Sequence, residues 1–302
     1  MTSRPRFSIG GPLGLLLVGL VLAVDWLLLR WLIDRSISTQ EINFGSFLLG
    51  LYVLLSLPLL AVLIYQTVTW LSLRYRLDRN GIVIHSAGTE QVIPIRDVQR
   101  ILPGKHLGKG AVRRRGLHWP GHERGEGMIP GIGRTRFLAT RPLTDQLILV
   151  TPGLAYGISP RDPDGFIKGL ESRRELGPNR LLAHEQRRAA WFAWPLWTDQ
   201  TAWALLGAAL LINLALFGYI SLRFPGLDFQ LPLHFNSLGQ PDRIGTKMEL
   251  FALPIIGLIV LTTNLALGLA LYRRERAGSY LLWGAAGAAQ ALFWLATFSI
   301  VP

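Results

Sequence analysis

The sequence contains no cysteine. That absence removes disulfides, thiolate metal ligands and a cysteine nucleophile together. Charge is also scarce: Asp, Glu, Lys and Arg make up 17% of the 302 residues, against about a quarter in an ordinary soluble domain. Acidic residues are the scarcer sign, 19 against 31 Lys and Arg, which leaves a net charge of +12. The glycines from Gly104 to Gly110 lack the Gly-x-x-x-x-Gly-Lys-Ser/Thr order of a phosphate loop. No Gly-x-Ser-x-Gly nucleophile elbow is present either. His118, His122 and Glu126 have a spacing that would align metal ligands on a helix, but Pro120-Gly121 breaks the helix between them. The expectation is a non-enzymatic chain with no cofactor and no metal.

What the sequence has in quantity is apolar length. Half of the residues are hydrophobic and ten are Trp. Five runs, 12–33, 47–71, 201–222, 251–272 and 280–300, are each long enough to cross a bilayer as a helix, which takes about 20 residues. The first run exceeds the apolar core of a signal peptide, about 7–15 residues, and continues through Trp26, Arg30 and Trp31. It is therefore expected to be a retained transmembrane helix. Pro58 lies inside the second run, where it is expected to kink the helix.

Five polar residues sit within the runs: Asp25, Arg30, Asn213, Asn264 and Gln290. A bare charge at the bilayer centre costs at least about 2.5–3.5 kcal/mol. Arg30 can reach the nearer interface along its own stem. Asp25 lies deeper and is expected to hydrogen-bond a neighbouring helix, as are the three amides. The alternative is that Asp25, Asn213, Asn264 and Gln290 converge on a transport path.

Residues 73–176 break this pattern. YRLDRNGIVIH alternates apolar and polar positions around Asn80-Gly81, a hairpin signal because both residues tolerate positive φ. A third strand is expected at 91–95, a helical turn within 96–102, and strands at 136–140, 146–150 and 155–158. The span 103–134 is rich in Gly, Pro and Arg and carries the run Arg113, Arg114 and Arg115. Its length predicts a functional, surface-bound or disordered loop. Ser159-Pro160-Arg161-Asp162-Pro163-Asp164 opens a helix through Phe166, Ile167 and Leu170. Residues 177–200 form a Trp-rich connector, expected as an amphipathic helix on the membrane surface carried by Leu181, Leu182, Ala189, Trp191 and Phe192.

Charge distribution sets the expected orientation. The segment from Arg74 to Arg188 holds 21 Lys and Arg against 11 Asp and Glu. Arg4 and Arg6 precede the first span, and Arg273, Arg274 and Arg276 lie between the last two. Five spans with the amino terminus in the cytoplasm place every basic stretch on that side, with the loop 223–249 and the carboxyl terminus outside. The positive charge then reads as topology and membrane contact, with no nucleic-acid partner. Arg113, Arg114 and Arg115 are candidates for contact with anionic lipid of the inner leaflet, at about 1 kcal/mol each.

The soluble segment resembles bacterial pleckstrin-homology-like domains of the membrane-anchored type. The resemblance is carried by Tyr75-Arg76-Leu77, Asn80-Gly81-Ile82, Ile93-Pro94-Ile95, Pro130-Gly131-Ile132-Gly133, Ala139-Thr140, Leu147-Ile148-Leu149-Val150-Thr151 and Tyr156-Gly157-Ile158-Ser159-Pro160, with Asp162, Pro163 and Phe166. It implies a curled antiparallel seven-stranded β-sheet capped by a carboxy-terminal helix, and a fold that mainly serves as a binding scaffold. A second resemblance lies in the outer loop. Pro232, His234, Asn236, Gly239, Asp242 and Lys247 are similar to the Pro-x-His-Trp-Asn…Gly…Asp…Lys pattern of a small bacterial membrane domain of unknown function. That domain also occurs in immunity proteins against the sporulation-delaying toxin; here Phe235 stands at the usual Trp. Read from the residues alone, the loop is either a self-contained hydrogen-bonded turn that orients two helices or a site for a cation or peptide.

The sequence therefore predicts an α-helical membrane protein of the bacterial plasma membrane with an inserted cytoplasmic β-domain. Its parts are a transmembrane hairpin (1–72), the domain (73–176), the connector (177–200) and a three-helix membrane region (201–302). The expected role is binding or sensing, with membrane lipids and an unidentified protein or peptide as partners. The alternative is an immunity or transport-type protein.

Overall fold

The computed structural model describes residues 1–38, 42–107, 113–115, 119–180, 182–189, 194–236, 238 and 240–301. The side chains of 36–38, 113–115 and 188 are not described. The chain divides into two units, 1–23 with 57–193 and 24–56 with 194–302. The division falls within the first two helices, α1 (Gly10–Ser38) and α2 (Phe44–Ser72). α2 continues as one helix through Pro58.

In the first unit, β1 (Thr2–Ser3), β2 (Arg74–Leu77), β3 (Gly81–Ser86), β4 (Thr89–Pro94), β5 (Arg100–Pro103), β6 (Arg113–Arg115), β7 (Glu123–Ile129), β8 (Gly133–Ala139), β9 (Leu147–Val150), β10 (Ala155–Ile158) and β11 (Glu185–Arg188) form two sheets. Their orders are β1-β2-β3-β4-β11 and β5-β9-β10-β8-β7-β6. Neighbours are antiparallel except β8 and β10, which run parallel.

Period-two alternation builds the core. In β2, Tyr75 and Leu77 are buried while Arg74 and Arg76 face out. With Ile82, Ile84, Ile93 and Tyr156 they pack against Phe166 and Leu170 of α3 (Pro163–Leu176). β9 is buried on both faces, which is why Leu147-Ile148-Leu149-Val150 is apolar throughout: Leu147 and Leu149 join this cluster, Ile148 and Val150 a second one with Phe137 and Ile129. Asp162 caps α3 by accepting from the Gly165 amide at 3.0 Å.

The first hairpin forms where expected, with Leu77 opposite Ile82. Its turn differs: neither Asn80 nor Gly81 adopts positive φ. Instead the Asn80 side-chain oxygen accepts from the Asn179 and Arg180 amides, at 2.9 and 3.0 Å. The tight two-residue turn is Ala87-Gly88, with φ of 44° and 73° between the paired Ser86 and Thr89.

Residues before the first membrane span also belong to the domain. β1 pairs with β2, and the backbone then crosses to the second sheet. There the Arg6 amide donates to Ser159 O (2.9 Å), the Arg161 amide to Arg4 O (2.9 Å) and the Thr140 hydroxyl to Arg6 O (2.6 Å).

The connector departs from expectation. Residues 185–188 are strand β11, paired antiparallel with β4, rather than part of a surface helix. Gly177, at φ 68°, caps α3 and Pro178 follows, so the helix ends there. The open edge of β4 then offers unpaired backbone groups that a polar strand satisfies. Leu181, Trp191 and Phe192 lie outside the described residues.

In the second unit, α4 (Gln200–Arg223), the hairpin of β12 (Gln230–Phe235) and β13 (Pro241–Thr246), α5 (Ala252–Leu271) and α6 (Arg276–Ile300) follow in order. Small residues let the helices close: a Cβ on Gly257 would overlap the side chains of Gln290 and Asn213, and one on Gly268 the indole of Trp283. Among the described residues, five helices are long and apolar enough to span a bilayer. The chain is a multi-pass membrane protein. Asp199 caps α4 through the Ala202 amide at 3.0 Å and accepts from the Tyr272 and Tyr280 hydroxyls. Those two hydroxyls hold its carboxyl down at about 2, Tyr272 contributing most.

Candidate binding surfaces

The intramembrane polar residues resolve into separate local bonds. The Asp25 carboxylate, 7% exposed, accepts from the Ser56 hydroxyl of α2 at 2.6 Å. Its second oxygen is buried without a partner among the described residues. Arg30 turns to Asp34 one helical turn on, at 4.0 Å, and stacks over Trp26. Asn213 donates to Gln290 (2.9 Å) and to Pro254 O (3.0 Å), while Gln290 donates to Gly257 O (2.8 Å). Asn264 bonds Val260 O of its own helix. Asn213 and Gln290 thus join three helices, whereas Asp25 and Asn264 take bonds elsewhere.

The His-Asn loop is a hydrogen-bonded hairpin. His234 on β12 pairs through Nδ1 with the Asp242 carboxylate on β13. The Asn236 side-chain oxygen accepts from the Leu238 and Gln240 amides, both at 2.9 Å, and so closes the turn. Pro232 lies opposite Ile244. The Lys247 ammonium donates to Phe224 O and Leu227 O, each at 3.2 Å, and lies 4.6 Å from the Phe224 ring centre. Thr246 and Glu249 form a capping box at the entry to α5. Gly239 lies outside the described residues. The motif residues in view fasten the loop to itself and to the end of α4; His234 and Asp242 are the exposed part.

In the β-domain, Arg113, Arg114 and Arg115 form β6, the outer strand of the second sheet, opposite Met128, Gly127 and Glu126. His118 lies outside the described residues. Glu126 is tied to Arg136 and Arg134, and these hydrogen bonds, Arg136 first, hold its carboxyl below the usual range. Arg136 also donates to Gln91 (2.9 Å) and Gln186 (3.1 Å), so one guanidinium links the two sheets with β11.

His122 is 3% exposed, and its Nδ1 has no partner among the described residues. Burial, reinforced by the Arg124 charge, lowers its pKa to about 4. A depressed histidine favours the fold above pH 6.5, where both states are neutral, and its contribution is lost as pH falls from there towards 4. The domain should therefore lose on the order of 3 kcal/mol over that window. His122→Gln should remove this component, leaving a visibly flatter plot of melting temperature against pH between 7 and 5. Equal slopes in both proteins would show that His122 is not the group responsible.

A groove of about 590 Å³ lies on the outer face of the first sheet. Arg76, Asp78, His85, Glu90, Arg180 and Leu182 are among its walls. His85 is paired with Glu90 at 3.1 Å, while the Arg76 and Arg180 side chains have no hydrogen bond or ion pair among the described residues. No motif in the sequence marks this surface. The alternation in Arg74-Tyr75-Arg76-Leu77 was the available signal, since a strand with buried Tyr75 and Leu77 must turn both arginines outward.

Residues 73–174 match the family described as Bacterial PH domain. This part of the chain is a bacterial PH domain. The PH domain match ends two residues before α3 does, so it takes in the two-sheet core and its capping helix but neither β1 nor β11. Both added strands sit at the edges of the first sheet, one supplied from each side of the matched region. Residues 211–258 match a second family, Domain of unknown function (DUF1648), which covers most of α4, the His-Asn hairpin and the start of α5. No curated protein and no solved structure shows a significant match to the chain.

Proposed function

We propose that the PH domain is a cytoplasmic, non-enzymatic binding module on a plasma-membrane anchor. The observation that carries this reading is the groove on the first sheet: it has a volume of about 590 Å³, has walls of both charge signs, and contains two arginines with no partner among the described residues. Open polar grooves of this size accept a peptide segment or a protein side chain, with the free guanidinium groups taking carboxylates. Two buried tyrosines support the reading, because their hydroxyls are engaged in fastening the fold. The Tyr75 hydroxyl donates to Leu138 O (2.7 Å) and the Tyr156 hydroxyl meets His184 Nε2. Burial pushes both tyrosines up to about 12.

Orientation follows from short-range charge. Arg4, Arg6, Arg273, Arg274 and Arg276 flank membrane spans, and basic residues beside spans favour the cytoplasmic side, which supports a cytoplasmic PH domain with the His-Asn hairpin outside.

The test is crosslinking in native membranes followed by capture of the full chain, compared with a chain lacking 73–176 and with the double variant Arg76→Glu/Arg180→Glu. The same partners should disappear in both altered chains. An unchanged partner set in the deletion would overturn the binding-module reading.

A further inference from the structure

A second groove, about 450 Å³, opens where α2 leaves the membrane. Arg4, Arg74 and Arg161 line it, and no acidic side chain does. All three side chains are exposed, and none makes a hydrogen bond or ion pair among the described residues. Three different elements bring them together. Arg74 faces outward at the start of β2 between the buried Leu73 and Tyr75, the amino-terminal arm supplies Arg4, and Arg161 follows β10. The Arg161 amide donates to Arg4 O at 2.9 Å, which fixes the last two side by side.

The rest of the groove is apolar. Phe7, Trp70, Leu71 and Leu73 complete its walls. Phe7 is 70% exposed and Leu71 51%, an arrangement that water does not favour. Trp70 is held rigidly: its indole N–H donates to Ser8 Oγ at 2.7 Å, and Phe7 packs against it edge-on at 6.3 Å. Trp70 and Leu71 belong to the last turn of a membrane-spanning helix that ends at Ser72. Hydrocarbon gives way to headgroups at such a helix end, where Trp is favoured. The cavity therefore sets three arginines beside apolar side chains at the end of a membrane-spanning helix, the arrangement that a headgroup and its acyl chains require.

We propose that this groove binds one anionic phospholipid. Arg4, Arg74 and Arg161 take the headgroup phosphate, and Phe7, Trp70 and Leu71 contact the upper acyl chains. Charge complementarity selects the anionic lipid: three guanidinium groups with no acidic neighbour in the groove favour a net negative headgroup over a zwitterionic one. The site is distinct from Arg113–Arg115 and from the groove of the first sheet. It rests only on the protein's crossing a membrane, so it stands whatever the PH domain captures.

The experiment uses the full chain in a neutral detergent, with phosphatidylglycerol or phosphatidylcholine titrated in and bound lipid counted by native mass spectrometry. The wild-type chain should retain one phosphatidylglycerol in preference to phosphatidylcholine. Arg4→Gln/Arg74→Gln/Arg161→Gln should bind it about a hundredfold more weakly, at roughly a factor of five for each basic residue lost beside an anionic lipid. The lysine version of the triple variant, which keeps charge and reports on folding, should retain most of the preference. Arg113→Ala/Arg114→Ala/Arg115→Ala should retain all of this one-lipid site. Inorganic phosphate at millimolar concentration should not compete; effective competition would assign the arginines to a free anion and overturn the lipid. An undiminished lipid preference in the glutamine triple variant would overturn the site itself. Neither result bears on the crosslinked partners, so the two readings fail independently.

Discussion

Deleting residues 2–7 while leaving α1 intact is expected to destabilise the PH domain by about 4–5 kcal/mol. The segment carries β1 and the three bonds that join Arg4 and Arg6 to Ser159, Arg161 and Thr140. Each such bond is worth about 1 kcal/mol net, and the partners left behind at Thr140 and Ser159 are buried, which raises the cost. A domain of this size has about 5–15 kcal/mol in total. The loss should appear as fast amide exchange at Leu77, which donates to Met1 O at 2.8 Å, and at Arg161, and as protease cleavage within 73–176 of the full chain in detergent. Unchanged protection at both amides would mean that the arm rests on the domain without holding it.

That arm is the clearest case of what the sequence could not convey. Thr2-Ser3-Arg4-Pro5-Arg6 has no periodicity, and its pairing partners lie some 70 to 150 residues away; no local pattern encodes a contact of that separation. β11 was hidden for a related reason. Glu185-Gln186-Arg187-Arg188 is wholly polar, so nothing in its composition announces a strand, and its place follows from the open edge of β4 alone. Elements with their own burial pattern were legible: the five apolar helices, β2 to β4, β8 to β10, and α3 with its Asp162 cap. The first hairpin was located by Asn80-Gly81, yet the turn with positive φ formed at Ala87-Gly88, because Asn80 is used to hold the chain after α3.

The surfaces followed the same division. The polar residues of the membrane spans and of the His-Asn loop stood out by chemical contrast with their neighbours. Their bonding could not be read until the helices were placed, since Asn213 reaches Gln290 across 77 residues whereas Asn264 bonds Val260 O of its own helix. The arginine-lined grooves arise from residues on separate elements. Arg4, Arg74 and Arg161 share no motif, and only the crossing of the arm between the sheets makes them neighbours.

Tyr75→Ala is the point substitution with the largest expected effect. Tyr75 is fully buried at the centre of β2, inside the cluster that packs against Phe166 and Leu170 of α3. Its hydroxyl donates to Leu138 O at 2.7 Å and accepts from the Ser159 amide at 3.1 Å, so a residue of the first sheet satisfies two backbone groups of the second. Truncating a buried aromatic ring costs about 3–5 kcal/mol from lost burial and the cavity left behind. Leaving Leu138 O and the Ser159 amide unsatisfied adds to this, at about 1–3 kcal/mol for a buried group. Tyr75→Phe keeps the ring and removes only the hydroxyl, so it isolates the second contribution. The alanine variant should leave the PH domain open to protease in the full chain at room temperature. The phenylalanine variant should remain folded, with a melting temperature lowered by several degrees. If the two variants unfolded together, the hydrogen bonds between the sheets would outweigh the packing. If neither moved, Tyr75 would not be the residue on which the two sheets close.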